Sequence, residues 1–245
     1  MKIIGLTSSI SEGVHKTNNA YVEAFTTEHT TPMTIPLFKG KSGEIFTSND
    51  QAYLDVLAQN LVERLDGLVL TGGNDINPIN NEDVFNGSAY TNYYRDLWEL
   101  VLACKFIDAQ KPCIGICRGM QLLGTMYGLK LNQELSMVDK QNEIHNGSSL
   151  ELPNRDEPLH EVETCGDFKE WAGVDKMNFN SFHHQGFLMD ENKNIDKLGL
   201  ELLAKTPNVI EMFRVINAPV MGCQAHPEEI DNSIVMKYIM EKYLQ

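Results

Sequence analysis

Short apolar runs alternate with amphipathic stretches through the first half of the chain. The apolar runs are Lys2 to Thr7, Asp66 to Leu70 and Cys113 to Ile116, and each has the length of a buried strand. Apolar residues at helical spacing occupy Asn49 to Leu65 and Tyr93 to Gln110. Because strands and helices alternate, the pattern predicts an α/β fold with a doubly wound, mostly parallel sheet.

The pattern changes after Leu131. Four strand-like runs follow with no helical pattern between them, which predicts an antiparallel extension of the sheet. These runs are His160 to Cys165, Leu200 to Lys205, Val209 to Ile216 and Val220 to Gln224. A predicted helix from Asp231 to Tyr243 closes the chain, and Asp231 and Asn232 are its candidate N-terminal caps.

Length and charge restrict the class of protein. The chain has 245 residues, which suits a single domain over 1–245. Its net charge of −14 argues against nucleic acid and anionic membrane surfaces, because phosphate binding needs clustered Lys and Arg. No stretch is long and apolar enough to span a membrane. We therefore expect neither nucleic acid nor membrane as a partner.

The cysteines indicate the compartment. Five cysteines are an odd number, and their spacing fits neither a disulfide framework nor a metal site. A strand begins directly at the N-terminus, with no apolar leader and no cleavage site. Unpaired cysteines persist in a reducing compartment, so the sequence predicts a cytoplasmic protein.

One cysteine falls where a nucleophile would be placed. Cys117 follows the strand Cys113 to Ile116 and precedes a helical pattern from Met120 to Tyr127, so it lies on a sharp strand-to-helix turn that exposes its side chain. Gly115 and Gly119 flank it and lack the Cβ atoms that would collide in this turn. The helix N-terminus favours the thiolate. The alternative is a small buried cysteine without chemistry.

A second segment supplies the partners that a thiol nucleophile needs. Such an enzyme requires a histidine base and a group that orients the histidine. His226 and Glu228 stand two residues apart at the end of an extended run and project to the same side. An ordinary charged pair on a surface loop is the alternative, and it becomes the weaker interpretation once Cys117 is considered with them.

The paired glycines Gly72 and Gly73 end the strand that finishes at Leu70. Glycines let backbone N–H groups approach a ligand closely, which an oxyanion hole or a phosphate site requires. No Walker lysine and no dinucleotide fingerprint follows, so a phosphate site is disfavoured. An ordinary turn is the alternative for this pair.

A polar segment from Asn178 to Gly186 is interpreted as a loop that lines a pocket. Its adjacent histidines, His183 and His184, face opposite ways on an extended chain and cannot both ligate one metal. We therefore expect no metal site. The remaining histidines are assigned to the surface or to local hydrogen bonds; they are His15, His29, His145 and His160.

Taken together, six motifs resemble the class I glutamine amidotransferase-like hydrolases, and in particular the γ-glutamyl-γ-aminobutyrate hydrolase-like branch, peptidase family C26. The resemblance runs from Leu68 to Glu228. Its motifs are Gly72-Gly73-x-Asp75-x-x-Pro78, Arg95-Asp96, Gly115-x-Cys117-Arg118-Gly119-x-Gln121, His160-Glu161-Val162, Asn180-Ser181-x-His183-His184-Gln185 and His226-Pro227-Glu228.

The resemblance implies a fold and a set of roles. The fold is flavodoxin-like, with a mostly parallel sheet. Cys117 is implied as the nucleophile, His226 as the base and Glu228 as the acid that orients His226. The backbone N–H groups of Gly73 and Arg118 are implied as the oxyanion hole. Three residues are implied around the γ-glutamyl group, and they are Gln121, Ser181 and His183. No cofactor is implied.

The implied reaction is hydrolysis of a γ-glutamyl amide, a C–N bond other than a peptide bond, which releases glutamate and an amine. Ala225 stands where the branch usually has an aromatic residue, and Thr26 to Thr31 replace its usual glycine-rich approach to the early proline strand. These departures leave the amine open. One rival is a glutaminase subunit that delivers ammonia to a separate synthetase, and another is a binding protein without turnover. The sequence does not decide whether the protein forms a homodimer.

Overall fold

The computed structural model describes residues 1–11, 14–38, 48–78, 85–139, 144–147 and 154–244. Its strands are β1 (Lys2–Thr7), β2 (Ser9–Ser11), β3 (Val14–Lys16), β4 (Thr30–Ile35), β5 (Gly67–Leu70), β6 (Cys113–Ile116), β7 (His160–Thr164), β8 (Lys176–Phe179), β9 (Phe187–Leu188), β10 (Leu200–Lys205), β11 (Val209–Val215) and β12 (Val220–Cys223). Its α-helices are α1 (Asn19–Ala24), α2 (Ser48–Arg64), α3 (Tyr93–Asp108), α4 (Arg118–Met126), α5 (Gly166–Ala172) and α6 (Ile234–Ile239).

Ten of these strands form one mixed sheet within the described residues. The order is β4-β1-β5-β6-β12-β11-β10-β7-β8, and β9 pairs with β11. The first five strands run parallel to their neighbours, and the pairs from β12 onward are antiparallel. The sequence therefore predicted the parallel core and the antiparallel extension correctly. Strands β2 and β3 form a separate hairpin after β1.

The predicted placement of strand β12 is wrong in one respect. We placed Val220 to Gln224 in the antiparallel extension, but β12 pairs parallel to β6 on one side and antiparallel to β11 on the other. It joins the two halves of the sheet. Because β12 lies beside β6, the chain that leaves β12 emerges next to the chain that leaves β6. This adjacency brings the segment after Cys223 close to Cys117.

Apolar side chains cover both faces of the sheet, which explains the continuous apolar runs of its central strands. Leu68 and Leu70 contact the layer that holds α2, α3 and α4, whereas Val69 and Ile114 contact the layer of α1, α5 and α6. The helices thus lie on both faces, as in a doubly wound fold. The carboxyl ends of β1, β5, β6 and β12 meet at one edge, where open parallel sheets place their sites.

Most predicted elements are present with bounds shifted by a few residues. The predicted helix at Met120 begins earlier, at Arg118, directly after Cys117. The C-terminal helix starts at Ile234 and is capped by Ser233, whose Oγ accepts from the N–H of Met236 at 3.3 Å, and not by Asp231 or Asn232. It continues as a π-helical turn over Met240–Leu244.

Helix α5 and strand β8 were not predicted, because Gly166–Ala172 is short and Lys176–Phe179 lacks a buried alternation. Within the described chain, no helix combines the length and the apolar character that crossing a membrane requires. The single domain over 1–245 stays a prediction.

Candidate active site

Cys117 lies on a strained turn between β6 and α4. Its backbone has φ 52° and ψ −108°, a left-handed φ that a residue with a side chain rarely adopts. Its N–H donates to the carbonyl of Cys223 at 2.7 Å, which ties the turn to the end of β12. The structure confirms the predicted strand–turn–helix elbow. It corrects the predicted exposure, because Cys117 is only 6% exposed.

The flanking glycines permit this turn by close packing. A Cβ on Gly119 would lie 2.1 Å from the carbonyl oxygen of Leu70, and a Cβ on Gly115 would lie 2.4 Å from the carbonyl oxygen of Gly119. Both separations are impossible for a real Cβ, so the first turn of α4 approaches β5 and β6 only because these positions carry no side chain. The steric reason predicted for these glycines is thereby confirmed.

His226 and Glu228 are joined by a short hydrogen bond. His226 Nδ1 lies 2.7 Å from Glu228 Oε1, and both side chains are buried. Burial alone would lower the pKa of His226, but the charges of Glu228 and Cys117, together with hydrogen bonds to both side chains, raise it to about 10. Cys117, His226 and Glu228 are thus brought together in the order that a thiol–histidine–acid triad needs.

Asn180 fixes the backbone of His226. Its side chain accepts from the His226 N–H and donates to the His226 carbonyl. Asn180 follows β8, so it connects the far end of the antiparallel half of the sheet to the candidate site. Sequence analysis placed this residue in a pocket loop without giving it a role, and its motif position beside Ser181 was the only signal available.

The two predicted oxyanion donors lie in different turns. Gly73 lies in the glycine turn after β5, and Arg118 lies at the elbow, directly after Cys117. Gly73 has φ 142°, and a Cβ there would lie 2.3 Å from Arg95 Nη1, so both the backbone angle and the packing require glycine. Arg118 begins α4, where backbone N–H groups have no partner inside the helix. No described residue accepts a hydrogen bond from the N–H of Gly73 or of Arg118. Both donors therefore remain candidates.

A buried ionic network supports these two donors. Arg95 Nε donates to Glu99 Oε1 at 2.9 Å, and the Arg118 guanidinium binds Glu99 Oε2 and Asp96 Oδ1. Arg95 Nη2 also donates to the carbonyls of Thr71 at 2.9 Å and Gly72 at 3.0 Å. The glycine turn and the first turn of α4 are thus anchored to the same face of α3.

This network was missed in the sequence. Arg95 and Asp96 entered the prediction only as a motif of the family resemblance, and Arg118 only as a motif residue and through its backbone N–H. The pattern that could have predicted the network is the spacing of Arg95, Asp96 and Glu99. Residues three or four apart share a helix face, so Glu99 lies beside both Arg95 and Asp96.

Tyr21 lies between the glycine turn and Glu228. Its hydroxyl accepts from the Gly72 N–H at 2.9 Å. Burial and the nearby charge of Glu228 raise the pKa of Tyr21 well above its usual value, so the phenol stays protonated. A neutral phenol beside Glu228 keeps the glycine turn in place without adding charge to the site.

The side chains of the three residues implied for substrate binding form hydrogen bonds to other groups of the protein. Gln121 Nε2 donates to the Gln185 carbonyl at 3.1 Å and to Gln224 Oε1 at 3.3 Å. Ser181 Oγ donates to the carbonyl of His145 at 2.8 Å, and His183 Nδ1 donates to the Gln185 carbonyl at 2.8 Å. All three are buried. Their contact with a γ-glutamyl group stays a prediction.

The other four cysteines are poor candidates for the nucleophile. All five cysteines are free. Burial raises the pKa of Cys104, Cys113, Cys165 and Cys223, which disfavours their thiolates. Cys165 also precedes a helix, but α5 is remote from His226 in the fold and spans only Gly166–Ala172.

A cleft of about 580 Å³ opens beside His226 and Glu228, and Cys117 is not among the described residues that line it. Its wall combines the β2–β3 hairpin, the glycine turn and the segment after β12, and includes Lys16, Arg155, His226 and Glu228. Lys16 and Arg155 are exposed cations in an acidic chain, and sequence analysis did not identify them. Arg155 Nε contacts Glu229 Oε1 at 3.0 Å. A second cleft of about 840 Å³ lies around Leu129 to Glu134, away from Cys117.

The sequence is similar to those of known proteins over about 70% of the chain. The glutamine amidotransferase-like protein YvdE of Lactococcus lactis subsp. lactis is 30% identical over 173 residues, covering 69% of this chain and 69% of that protein. The γ-glutamyl-γ-aminobutyrate hydrolase PuuD of Escherichia coli K12 is 28% identical over 179 residues, covering 70% of this chain and 67% of that protein.

A solved structure confirms the fold class. The glutaminase domain of Trypanosoma brucei CTPS, with bound acivicin, superposes with a TM-score of 0.61 at 13% identity, covering 98% of this chain and 91% of that one. This match supports the flavodoxin-like sheet of the glutamine amidotransferase class. The model of one family, Peptidase C26, matches residues 2–228. The chain therefore belongs to the Peptidase C26 family.

Proposed function

We propose that this protein is a cysteine-dependent hydrolase that cleaves the γ-glutamyl amide bond of a small γ-glutamyl-amine conjugate. The observation that carries the proposal is the placement of His226, which hydrogen-bonds Glu228 and interacts with the thiol of Cys117 on its strained elbow. A histidine whose pKa is about 10 is an imidazolium at neutral pH, so it can stabilise a thiolate and also donate a proton.

The first half-reaction forms a thioester. The Cys117 thiolate attacks the γ-carbonyl carbon, and the negative charge moves to the carbonyl oxygen. The C–N bond then breaks, and the His226 imidazolium gives its proton to the departing nitrogen, which leaves as a neutral amine. Glu228 keeps the tautomer and the orientation of His226 through this transfer.

The second half-reaction releases glutamate. The imidazole of His226, now neutral, takes a proton from water as the water oxygen attacks the thioester carbon. The C–S bond breaks, the thiolate returns, and the imidazolium is restored. No cofactor enters this sequence, because every proton and electron pair is supplied by the triad, the substrate or water.

The N–H groups of Gly73 and Arg118 are the proposed oxyanion donors in both steps. Each donor of this kind supplies roughly 3 kcal/mol of transition-state stabilisation. The buried network of Arg95, Glu99 and Arg118 supports the proposal, because it holds the two donors at fixed positions before substrate arrives.

The charge of the cleft favours an anionic substrate. Lys16 and Arg155 border it, and a γ-glutamyl group carries a free carboxylate that these cations attract. Gln121, Ser181 and His183 remain proposed neighbours of the glutamyl group. The name of the Escherichia coli relative gives aminobutyrate as one candidate for the amine. A polyamine derivative, an amino acid and a nucleotide conjugate are the other candidates.

A glutaminase that supplies ammonia to a separate synthetase is the second candidate function. It uses the same cysteine chemistry with ammonia as the leaving group, and the match to a glutaminase domain favours it. Five free cysteines fit the cytoplasm that we propose for either function. We also propose that the protein forms a homodimer. Under the second function, a separate synthetase would be its partner.

Glutamate release separates the two functions. We would assay purified protein against a panel of γ-glutamyl amides that includes γ-glutamyl-aminobutyrate, γ-glutamyl polyamines and free glutamine, with Cys117→Ala as the control. The proposal expects release from at least one conjugate at a kcat/KM well above that for glutamine. A preference for glutamine would favour the glutaminase, and equal rates for Cys117→Ala and wild type would reject both.

A further inference from the structure

Three histidines and one glutamate meet in the protein interior. His145 lies in the segment 144–147, His160 begins β7, His183 follows β8 and Glu211 lies in the middle of β11. None of the four is more than 7% exposed. Sequence analysis assigned His145 and His160 to the surface or to local hydrogen bonds, and the surface assignment is wrong, because the fold buries both against Glu211.

The spacing of these groups resembles a coordination sphere. His145 Nδ1 and His160 Nε2 each lie 3.2 Å from Glu211 Oε1. One ligand atom from each of His145, His183 and Glu211 lies within 4.8 Å of the other two. Tetrahedral zinc ligands at 2.0–2.1 Å from the metal are separated by roughly 3.3 Å. His145, His183 and Glu211 therefore need only small movements to bind one ion, and His160 adjoins this group through Glu211.

Hydrogen bonds within the protein do not satisfy this cluster. Among the described residues, ten buried side-chain nitrogen and oxygen atoms have no hydrogen-bond partner, and six of them belong to these four residues. The six are His145 Nδ1, both ring nitrogens of His160, His183 Nε2 and both oxygens of Glu211. The 3.2 Å contacts are close enough for hydrogen bonds, but their angles are unsuitable. Buried polar atoms are rarely left in this state.

His183 is already oriented as a metal ligand. Its Nδ1 donates to the Gln185 carbonyl at 2.8 Å, so the lone pair lies on Nε2, which is buried and unpartnered. A backbone acceptor on the second ring nitrogen is the usual support of a ligating histidine.

We propose that His145, His183 and Glu211 bind one divalent transition-metal ion of the zinc type, with His160 as the fourth ligand. Imidazole and carboxylate donors in a tetrahedral arrangement favour Zn²⁺ over Mg²⁺ or Ca²⁺, which need more oxygen ligands. The enclosure of all four side chains gives the ion a structural role, because catalytic zinc keeps one position open. This revises the expectation of no metal. It also replaces the role proposed for His183 beside the glutamyl group, because its Nδ1 is bonded to the Gln185 carbonyl and its Nε2 would bind the ion.

The ion would hold the segment that positions the triad histidine. Ser181 Oγ and the His183 N–H both donate to the His145 carbonyl, at 2.8 and 2.9 Å. Asn180, next to Ser181, binds the backbone of His226. Joining His145 to His183 through a metal therefore fixes the chain on which the His226 contact depends. The proposal does not rest on the proposed reaction.

Metal binding is measured directly in Cys117→Ala protein, because a thiol beside His226 is a competing zinc site. The protein is treated with a chelator, dialysed and titrated with Zn²⁺ against a chromogenic competitor. We expect one equivalent of Zn²⁺ per chain and a rise in Tm of about 5 °C or more at saturating metal. Titration with Co²⁺ should give the visible absorption of a tetrahedral site with nitrogen and oxygen ligands.

Variants locate the ion. His183→Gln and Glu211→Gln should lose the bound equivalent and the Tm response, whereas His29→Gln, at an exposed histidine paired only with Glu28, should keep both. If a ligand variant does not fold, the Co²⁺ spectrum and the stoichiometry of the parent protein decide the question. Less than one tenth of an equivalent of Zn²⁺ in that protein, an unchanged Tm, or full binding by folded His183→Gln would overturn the proposal.

Discussion

The side-chain amide of Asn180 binds both backbone polar groups of His226. Asn180 Oδ1 accepts from the His226 N–H at 3.0 Å, and Asn180 Nδ2 donates to the His226 carbonyl at 2.9 Å. Asn180 is fully buried, so water cannot replace it. The two residues lie 46 positions apart in sequence. The candidate base is therefore positioned by the antiparallel half of the sheet as well as by its own strand.

Replacing Asn180 with Ala should reduce both catalysis and stability. Two buried backbone groups would lose their partner, which costs roughly 1–3 kcal/mol of unfolding free energy. A displaced His226 should reduce kcat by about 10- to 100-fold, because misplacement of a reacting group by ~1 Å has effects of this size. Urea unfolding and steady-state kinetics on one preparation measure both quantities.

Asn192→Ala is the matched control for this experiment. Asn192 is also buried, accepts from the Lys130 N–H at 2.8 Å and donates to the carbonyls of Lys130 and Leu188, but these contacts are remote from His226. It should lose similar stability with wild-type kcat. Equal kcat values for the two variants would show that Asn180 serves only the fold.

The sequence predicted the parallel core and the elbow because their signals are local. A continuous apolar run, a glycine on each side of Cys117 and a helical period all lie within a few residues of each other. The contact between His226 and Glu228 was predictable for the same reason, since the two residues are near neighbours.

The remaining features depend on contacts between distant segments. The pairing of β12 with β6, the Asn180 contact and the sharing of Glu99 by Arg95 and Arg118 join segments whose proximity no local pattern encodes. The cluster around Glu211 is the clearest case, because its histidines come from three separate segments and look unremarkable one at a time.

Glu228→Gln should change the pH dependence as well as the rate. Burial lowers the pKa of His226, but Glu228 and Cys117 together raise it to about 10, so the imidazolium needed for catalysis is lost as the pH rises through that value. Without the charge of Glu228 the folded pKa of His226 falls, and the alkaline limb of kcat/KM should move to lower pH. We also expect kcat to fall about 10- to 1,000-fold.

Glu229→Gln is the control for the pH profile. The Glu229 carboxylate contacts Arg155 and Asn18. Glu229 binds His226 through its backbone N–H, which donates to the His226 carbonyl at 3.2 Å and is kept in the variant, so the substitution should leave the alkaline limb in place. Profiles of kcat/KM from pH 6 to about 10.5 cover the pKa that matters. An unmoved limb in Glu228→Gln, or a larger shift in Glu229→Gln, would leave only a Cys117–His226 dyad.

Glu99→Gln should break the ion pairs beneath the oxyanion donors and lower the free energy of unfolding. Arg95 and Arg118 share the Glu99 carboxylate in the interior, and its neutralisation would leave Asp96 as their single buried carboxylate. Removing one member of a buried ion network costs roughly 3–5 kcal/mol. Unfolding in urea at pH 7 measures the loss.

The partly exposed pair of Lys105 and Asp55, 3.5 Å apart, provides the comparison on the same helix layer. Asp55→Asn should cost less than about 1 kcal/mol, because solvent screens the pair. A loss from Glu99→Gln no larger than that from Asp55→Asn would mean that the network contributes nothing measurable to stability.

Gly119→Ala should disrupt the elbow. The added Cβ would lie 2.1 Å from the Leu70 carbonyl oxygen, so either α4 or β5 must move. We expect a loss of about 1–3 kcal/mol of stability and at least ~100-fold in kcat, since the nucleophile would move with the helix.

Gly173→Ala tests whether this loss comes from the contact alone. Gly173 has φ 69° and no atom within 4 Å of an added Cβ, so its replacement costs only backbone strain, about 1 kcal/mol. It should retain wild-type kcat. Wild-type kcat in Gly119→Ala would contradict the close approach of α4 to β5.

A covalent glutamyl thioester on Cys117 would be detected by mass spectrometry of acid-quenched enzyme. Enzyme mixed with a γ-glutamyl anilide is quenched within the first turnover, digested and mapped. We expect one added glutamyl group on the peptide that carries Cys117, matched by an initial burst of the free aniline, and neither in Cys117→Ala. Turnover without any adduct, or an adduct on Cys113, Cys165 or Cys223, would contradict this expectation.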